Sequence, residues 1–221
     1  MITLALDAST YVGDVAVLDG PRILAEESVA MKGAEHERLM PAVSDALRSA
    51  NVEVDAIRRV VCGAGPGSFT SLRIAGAISK GIACGIGVPL FAVHSMALIV
   101  AGAQPLPGRY LAIVDALRGE AYVALYDVDG DHDTTELEPA RIVSVTDIET
   151  LAADFGARTI GPSRELCSIV ANPRARSVAL LERLISANGA VDLASWEPAY
   201  GRLAEAQVKW ETAHGRPLPA G

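Results

Sequence analysis

The stretch LALDASTYVGDVAVLD, residues 4–19, decides the fold because its pattern returns 108 residues later. Residues 112–127 read AIVDALRGEAYVALYD, and the two copies align without a gap. In each copy a strand ends in an aspartate, a short turn follows, and an alternating strand returns. Identical residues meet at five positions: Asp7, Ala8, Val15, Ala16 and Asp19 align with Asp115, Ala116, Val123, Ala124 and Asp127. We interpret the two copies as a duplicated lobe.

The segments between the two copies have the order of an α/β lobe. Strands are predicted at residues 2–7, 13–19, 22–30, 58–64 and 89–93. Helices are predicted at residues 36–50 and 69–85 from their helical spacing of apolar residues, and a third helix follows the last strand. This order predicts mixed sheets flanked by helices. Two such lobes resemble the actin, Hsp70 and sugar-kinase (ASKHA) superfamily, whose lobes are ribonuclease H-like.

We place the lobe boundary in GAQPLPGRY, residues 102–110, because two prolines and a glycine there interrupt any helix. The predicted N-terminal lobe comprises residues 1–104. The predicted C-terminal lobe, residues 105–221, includes the tail. Its later part predicts strands at 140–145 and 157–162 and helices at 146–155, 177–189 and 201–211.

Composition limits the classes of function. Half of the residues are apolar, the net charge is −8, and Lys and Arg form no cluster, so any contact with RNA is expected through a basic partner. Cys62, Cys84 and Cys167 are scattered, which disfavours a disulfide framework and a zinc site. With no signal-peptide pattern at the start, we expect a cytoplasmic protein. The uncharged run between Lys80 and Arg109 is broken by glycines and prolines, which favours core over membrane.

Two turns are candidates for binding nucleotide phosphates, as they do in the superfamily. Asp7, Ser9 and Thr10 are compatible with a first phosphate turn, and Asp115 opens a second. The second turn fits less well, because it has one glycine and places Leu117 where backbone amides should approach a phosphate closely. We favour the interpretation that both aspartates are architectural remnants rather than magnesium partners.

The glycine-rich stretch VVCGAGPGSFTSLRIAGAISKG, residues 60–81, raises the question of whether its loop binds a phosphate. Ser68 and Phe69 follow Gly67 where a Walker motif needs lysine and a hydroxyl, and Lys80 is too distant. The dinucleotide fingerprint and the nucleophile elbow are also incomplete. A helix start can bind an anion, but we favour a tight strand-to-helix turn.

The helix after this loop is apolar on two sides. The face predicted to pack on the sheet contains Ile74, Ala77, Ile78, Gly81, Ile82 and Gly85. The opposite side contains Phe69, Leu72, Gly76 and Ala83, edged by Arg73 and Lys80. That second face predicts either a partner surface or cover by the chain's own tail, and the spacing leaves both open.

Five blocks resemble, in order, the bacterial TsaB (YeaZ) family. They are LALDASTYVGDVAVLDG, EHERLMPAVSDAL, GAGPGSFTSLRIAGAISKGIA, VDALRGEAYVALYD and EPAYGR. The segment GPGSFTSLRI is the most specific part, although Ser71 stands where family members usually have glycine. The resemblance covers the first lobe closely and the second lobe in patches.

This resemblance implies a degenerate paralogue of TsaD, the enzyme subunit of bacterial tRNA threonylcarbamoyladenosine (t6A) synthesis, which modifies the adenosine 3′ of the anticodon. TsaD-like proteins carry a His-x-x-x-His metal pair at the place matching FAVHSMALIV. Here His94 is present, but Leu98 occupies the second ligand position. One imidazole cannot hold a catalytic metal. The resemblance therefore implies no catalytic residue, metal or cofactor on this chain, with nucleotide and magnesium on partner subunits.

The resemblance also implies the partners. It predicts pairing with TsaD through the first lobe, the ATPase TsaE as a further subunit, a homodimer when TsaD is absent, and tRNA contact only through the complex. In the family, the helices matching residues 36–50 and 69–85 form the helix bundle, which favours a partner surface over cover by the tail. The expected interface residues are His36, Met40, Phe69, Leu72, Arg73, Gly76, Lys80 and Ala83.

Two alternative functions remain from the residues themselves. Intact Asp7 and Asp115 leave room for an independent ATP-using enzyme of the superfamily, such as a small kinase or ATPase. A glycoprotease-like peptidase is disfavoured because the sequence offers neither a metal pair nor a triad.

Overall fold

The computed structural model describes residues 1–31, 37–200 and 214. A first five-stranded sheet, ordered β3-β2-β1-β4-β5, contains β1 (Ile2–Asp7), β2 (Val12–Asp19), β3 (Arg22–Ala30), β4 (Arg59–Gly63) and β5 (Leu90–Val93). A second, ordered β10-β9-β6-β7-β8, contains β6 (Gly108–Leu117), β7 (Glu120–Val128), β8 (Thr134–Ser144), β9 (Arg158–Gly161) and β10 (Ile169–Val170). The α-helices are α1 (Leu39–Ala50), α2 (Phe69–Ile86), α3 (Ser95–Ala103), α4 (Ile148–Phe155) and α5 (Glu182–Asn188).

The two sheets have the same topology. In the first sheet β1 pairs antiparallel with β2 and parallel with β4. In the second sheet β6 pairs antiparallel with β7 and parallel with β9. The second sheet read from β8 to β10 therefore repeats the first sheet read from β3 to β5. This repeat confirms the predicted fold class, an α/β chain of two ASKHA-type lobes.

The main core lies between the two sheets, around α3. This helix has the sequence SMALIVAGA, and residues 95–101 are all buried, as expected for a helix that is apolar on every side. Ala5 and Val61 of the first sheet and Tyr110 and Ala112 of the second belong to the same buried cluster as α3. The uncharged run that contains α3 is thus protein core. Among the described residues, no helix has both the length and the apolar character needed to cross a membrane.

Smaller cores cover the outer face of each sheet. In the first lobe α1 and α2 bury Leu39, Val43 and Ala75 against β1, β2 and β4. In the second lobe α4 buries Ile148 against Leu111 and other residues of β6 and β7. Each sheet is therefore enclosed on two faces, which explains why β1 and β6 read as nearly continuous apolar runs.

Two predicted helices differ from the structure in their limits. The helix predicted from residue 36 begins at Leu39, where the Glu37 carboxylate accepts hydrogen bonds from the amides of Leu39 and Met40. The helix predicted over 177–189 is divided into a 3₁₀ segment, Ala175–Leu180, and α5. The amide of Ala175 donates to Asp14 Oδ1 at 2.7 Å, which ties the 3₁₀ segment to β2 and overrides local helix propensity. Residue 36 and the predicted helix at 201–211 lie outside the described residues.

The chain returns to the first lobe after β10. The guanidinium of Arg59 on β4 donates two hydrogen bonds, of 2.8 and 2.6 Å, to Glu182 on α5. Ala190 then pairs antiparallel with Phe91 of β5. The predicted boundary at residues 104/105 stays a prediction, although the polypeptide from residue 174 onward makes many of its contacts with the first sheet.

Candidate functional site

A cavity of about 780 Å³ lies between the lobes, where the carboxyl ends of β1 and β6 meet. Small-molecule sites in proteins usually have volumes of 300–1,000 Å³, so this cavity is the candidate functional site. Its lining residues are Ser9, Thr10, Tyr11, Val12, Gly67, Ser68, Phe69, Val114, Asp115, Ala116, Leu117, Arg118, Tyr122, Ile142, Pro162, Ser163, Asn172 and Tyr200.

Asp7 does not line this cavity. Its carboxylate is completely buried. Oδ1 accepts hydrogen bonds of 2.9 Å from both the amide and the hydroxyl of Ser9, and Oδ2 accepts one of 2.5 Å from the Ser95 hydroxyl. A Cβ on Gly63 would lie 1.9 Å from Asp7 Oδ2, so the backbone of β4 closes the remaining side. Protein groups therefore already surround the carboxylate of Asp7, and its role in a cofactor-binding turn stays a prediction.

The pKa of Asp7 is raised from 3.8, chiefly because burial disfavours the charged form. The hydrogen bonds from Ser95 and Ser9 act in the opposite direction. Such an arrangement joins β1, the turn after it and the start of α3 at one buried point. It is the arrangement of a structural carboxylate.

The other three phosphate-turn candidates do line the cavity. Ser9 is nearly inaccessible, and its hydroxyl donates to Asp7. The Thr10 hydroxyl interacts with the backbone of Val12. Asp115 is exposed, and its Oδ1 accepts a hydrogen bond of 2.7 Å from the amide of Leu117. The structure thus brings Ser9, Thr10 and Asp115 to one cleft, while their role there stays a prediction.

The second turn is built unlike a phosphate cradle. Leu117, Arg118 and Gly119 have φ values of 63°, 60° and 78°, in the left-handed region that favours glycine. Leu117 is 57% exposed and lines the cavity where a phosphate would need open backbone amides. Arg118 is the one cationic residue among the described lining residues, and it already has an interaction partner. The lining does not fit a nucleoside triphosphate.

The amides of the glycine loop are used inside the chain. The amide of Ala64 donates to Val93 O, that of Gly65 to the Ser95 hydroxyl, and that of Ser68 to Ser9 O. A Cβ on Gly67 would lie 1.9 Å from Ser9 O, so this glycine is needed for close approach of two backbones. These contacts support the interpretation of the loop as a tight strand-to-helix turn.

His94 and Leu98 are the two positions at which the resemblance places the metal pair of TsaD-like proteins. His94 Nδ1 lies 3.0 Å from Glu136 Oε2, which also accepts a hydrogen bond of 3.2 Å from the Tyr126 hydroxyl. The hydrogen bond to Glu136 raises the pKa of His94 above 6.5. Leu98 is completely buried in the main core. Within residues 1–31 and 37–200, no group of three or more His, Cys, Asp or Glu side chains is arranged to hold a metal ion.

The buried face of α2 agrees with the sequence prediction only for its isoleucines, which pack against the core of the first lobe. The buried residues of this helix are Ser71, Leu72, Ala75, Gly76, Ser79 and Ala83. Ala77, Gly81 and Gly85, which were predicted to pack on the sheet, are exposed, while Ile74, Ile78 and Ile82 are half-buried. Both faces are apolar, so periodicity could not choose between them. The assignment of Leu72, Gly76 and Ala83 to a partner surface is wrong, because these residues are buried within the chain.

The chain's own residues 196–200 provide much of this cover. A Cβ on Gly76 would lie 3.0 Å from Pro198 Cγ. Lys80 Nζ donates to Trp196 O at 2.9 Å, and the rings of Phe69 and Tyr200 lie 4.7 Å apart. The amide of Ala199 donates to Ala64 O. We call residues 196–200 the C-terminal strap.

Exposed residues remain on both α1 and α2, and together we call them the outer surface of these helices. Met40 on α1 is 42% exposed, and Arg73, Ala77 and Gly81 form an exposed row at intervals of four residues on α2. A Cβ on Gly81 would contact nothing within 4 Å. Of the predicted interface residues, Met40 and Arg73 lie on this surface, Phe69 and Lys80 contact the C-terminal strap, and His36 lies outside the described residues.

Sequence reasoning missed several residues that build these sites. Ser95 follows His94 directly, but no sequence motif marks a serine that binds an aspartate 88 residues earlier. Tyr122 and Tyr200 line the cleft and come from distant parts of the chain. The duplicated stretch held a signal for Tyr122. This residue aligns with Asp14, so the second copy has an aromatic residue where the first has a charged one.

Comparison with known proteins identifies relatives along almost the whole chain. The model of the family described as "TsaD: tRNA N6-adenosine threonylcarbamoyltransferase" matches residues 30–154. A protein of Bacillus subtilis named tRNA threonylcarbamoyladenosine biosynthesis protein TsaB is 28% identical over 95% of this chain and 98% of its own length. The protein of the same name from Escherichia coli is 34% identical over 58% of this chain and 56% of its own length.

A solved structure has the same fold. It comes from Pseudomonas aeruginosa and is described as an uncharacterized protein with similarity to peptidase YEAZ. It is 26% identical to this chain, with a TM-score of 0.78, and the match covers 91% of this chain and 99% of that one.

Proposed function

This chain belongs to the family described as TsaD tRNA N6-adenosine threonylcarbamoyltransferase, and within it to the TsaB (YeaZ) group; from that premise we propose that it is a noncatalytic subunit of bacterial t6A synthesis. In this role it binds and supports TsaD, which transfers the threonylcarbamoyl group to the adenosine 3′ of the anticodon. The two relatives compared above are named for t6A biosynthesis, which supports the pathway.

The enclosed carboxylate of Asp7 carries the noncatalytic part of the proposal. A magnesium partner must offer oxygen lone pairs to the ion or its water ligands. In Asp7 both oxygens accept hydrogen bonds from Ser9 and Ser95, and the residue has no exposed surface. We therefore place catalysis, nucleotide and magnesium on the partner subunits. tRNA is contacted through the complex, TsaE is a further partner, and the complex works in the cytoplasm.

The outer surface of α1 and α2 is the proposed contact with TsaD, and with a second copy of this chain when TsaD is absent. Met40, Arg73, Ala77 and Gly81 lie there. Alanine and glycine let a partner helix approach closely. This surface replaces the side of α2 that contains Leu72, Gly76 and Ala83, which the chain covers itself.

A bulky charge at Gly81 tests the proposal. Gly81→Arg adds a side chain at an exposed helical position where nothing within 4 Å opposes it, so the fold should be retained. We expect the variant to lose co-purification with TsaD from the same organism, and t6A formation by the mixture to fall by at least about ten-fold. The matched control is Gly130→Arg, at a second exposed glycine with open space, on the β7–β8 turn.

The lone chain should form no t6A and hydrolyse no ATP. Normal pairing and activity of Gly81→Arg would place the interface elsewhere. A wild-type chain that neither binds TsaD nor increases t6A formation would contradict the proposed function itself.

A further inference from the structure

The cleft between the lobes retains the size of a ligand site although its lining does not fit a triphosphate. Its volume of about 780 Å³ lies in the usual range for sites that enclose small molecules. Most of the larger side chains that line it are apolar or aromatic, including Val114, Leu117, Tyr122 and Ile142. This composition favours a ligand with apolar surface.

Aromatic rings gather at the side of the cleft next to α2. Phe69, the first residue of α2, and Tyr200 of the C-terminal strap have ring centroids 4.7 Å apart and ring planes tilted by 50°. The guanidinium of Arg73 lies 5.3 Å from the centre of the Phe69 ring and helps to fix its position. Rings held in this way offer flat surfaces on which a planar heterocycle can stack.

Hydrogen-bonding groups accompany these rings. Asp115 Oδ1 accepts from the amide of Leu117, while Oδ2 accepts no hydrogen bond from the described residues. This oxygen can accept a hydrogen bond from a hydroxyl or an amino group of a ligand. Ser163 and Asn172 line the same cavity. A few polar groups among apolar walls are typical of sites that orient an uncharged ligand.

Charge disfavours an anionic ligand. The described lining residues include one carboxylate, that of Asp115, and one guanidinium, that of Arg118. Arg118 already interacts with another group of the chain. The whole chain carries a net charge of −8. A triphosphate would therefore meet no unpaired cation among the described lining residues, and the negative net charge of the chain would repel it.

From this juxtaposition of two tilted aromatic rings, a carboxylate oxygen that accepts no hydrogen bond from the described residues, and described lining residues without net charge, we propose that the cleft binds an uncharged aromatic heterocycle of nucleoside size. The heterocycle stacks against the Phe69 side of the cleft, and a hydroxyl or amino group of the ligand donates to Asp115. This inference does not depend on the proposed role in t6A synthesis.

Calorimetric titration of the full chain with adenosine, and separately with magnesium-ATP, tests this proposal. We expect saturable one-to-one binding of adenosine with a Kd below about 1 mM, and at least about ten-fold weaker binding of magnesium-ATP. Phe69→Leu should weaken adenosine binding by about ten-fold, because it removes a stacking surface and keeps an apolar side chain. Asp115→Asn should also weaken it, since an amide accepts a hydrogen bond less strongly than a carboxylate.

Phe155→Leu is the matched control, because Phe155, the last residue of α4, packs against the buried cluster of the second lobe and does not line the cleft. This variant should bind adenosine as the wild type does. The proposal is overturned if adenosine shows no saturable binding up to about 10 mM, if magnesium-ATP binds more tightly than adenosine, or if the two phenylalanine variants behave alike.

Discussion

The Ser95 hydroxyl donates a hydrogen bond of 2.5 Å to Asp7 Oδ2, and this bond joins the end of β1 to the first residue of α3. The same hydroxyl accepts a hydrogen bond of 3.0 Å from the amide of Gly65, so the glycine loop belongs to the same network. Asp7 is therefore a structural junction between β1, the glycine loop and α3.

Removal of the Asp7 carboxylate should destabilise the fold. Asp7→Ala leaves the Ser9 amide and the hydroxyls of Ser9 and Ser95 buried without their acceptor. We expect the free energy of unfolding to fall by about 2–4 kcal/mol, measured by urea denaturation. Asp115→Ala, at an exposed position, is the control and should cost about 1 kcal/mol or less. Equal losses in the two variants would contradict the structural role of Asp7.

Two glycines of α2 should respond oppositely to alanine. Gly81→Ala should raise the free energy of unfolding by up to about 1 kcal/mol, since alanine is the better helix former and the position is open. In Gly76→Ala the new Cβ would lie 3.0 Å from Pro198 Cγ, and this close contact offsets the gain in helix propensity. We expect Gly76→Ala to be less stable than Gly81→Ala by more than about 1 kcal/mol in chemical denaturation. Equal stability would show that the strap does not pack on Gly76.

The pair of His94 and Glu136 should make stability depend on pH. The hydrogen bond to Glu136 raises the pKa of His94 above 6.5, and the hydrogen bond from His94 lowers the pKa of Glu136 below 4.5. The contribution of His94 is therefore complete below 6.5 and is lost as pH rises through its higher folded-state pKa. The contribution of Glu136 is present above 4.5 and is lost as pH falls through its lower folded-state pKa.

The measurement is the free energy of unfolding at several pH values for the wild type and for His94→Gln, by urea denaturation. The variant should lose more stability at about pH 6 than at about pH 9, with a difference below about 1 kcal/mol because the pair is partly exposed. The control is His132→Asn, at an exposed histidine with φ of 63°, a conformation that asparagine tolerates. This control should have the same effect at both pH values. A larger loss for His94→Gln at the higher pH would contradict the pairing.

The ion pair of Arg59 and Glu182 should stabilise the return of the chain to the first lobe. Arg59 is nearly buried, and Glu182→Ala would remove two of its three hydrogen bonds and leave the one to Thr3. We expect a loss of about 1–2 kcal/mol in the free energy of unfolding. Glu165→Ala, at an exposed glutamate in the second lobe, should change it by less than about 0.5 kcal/mol. A Glu182→Ala variant as stable as this control would contradict the contribution of the pair.

Sequence reasoning located most strands and helices of the first lobe, but it could not orient α2. Strands alternate or run as continuous apolar segments between turn residues, and those patterns are local. The choice of buried face on α2 depends on residues 196–200, which arrive more than 100 residues later in the chain. For Leu72 and Gly76 the spacing left a partner surface and cover by the tail both open, and only the packing of residues 196–200 decided for the tail.

The sequence by itself determined the duplicated α/β fold, because the copies at residues 4–19 and 112–127 repeat a local pattern of strand, aspartate, turn and strand. Only the tertiary structure decided what the two aspartates do. Asp7 is enclosed by Ser95 and Gly63 from other elements, whereas Asp115 faces an open cleft. Both follow the same local pattern, and their difference arises from neighbours far away in the chain, since burial and hydrogen bonding are properties of packing.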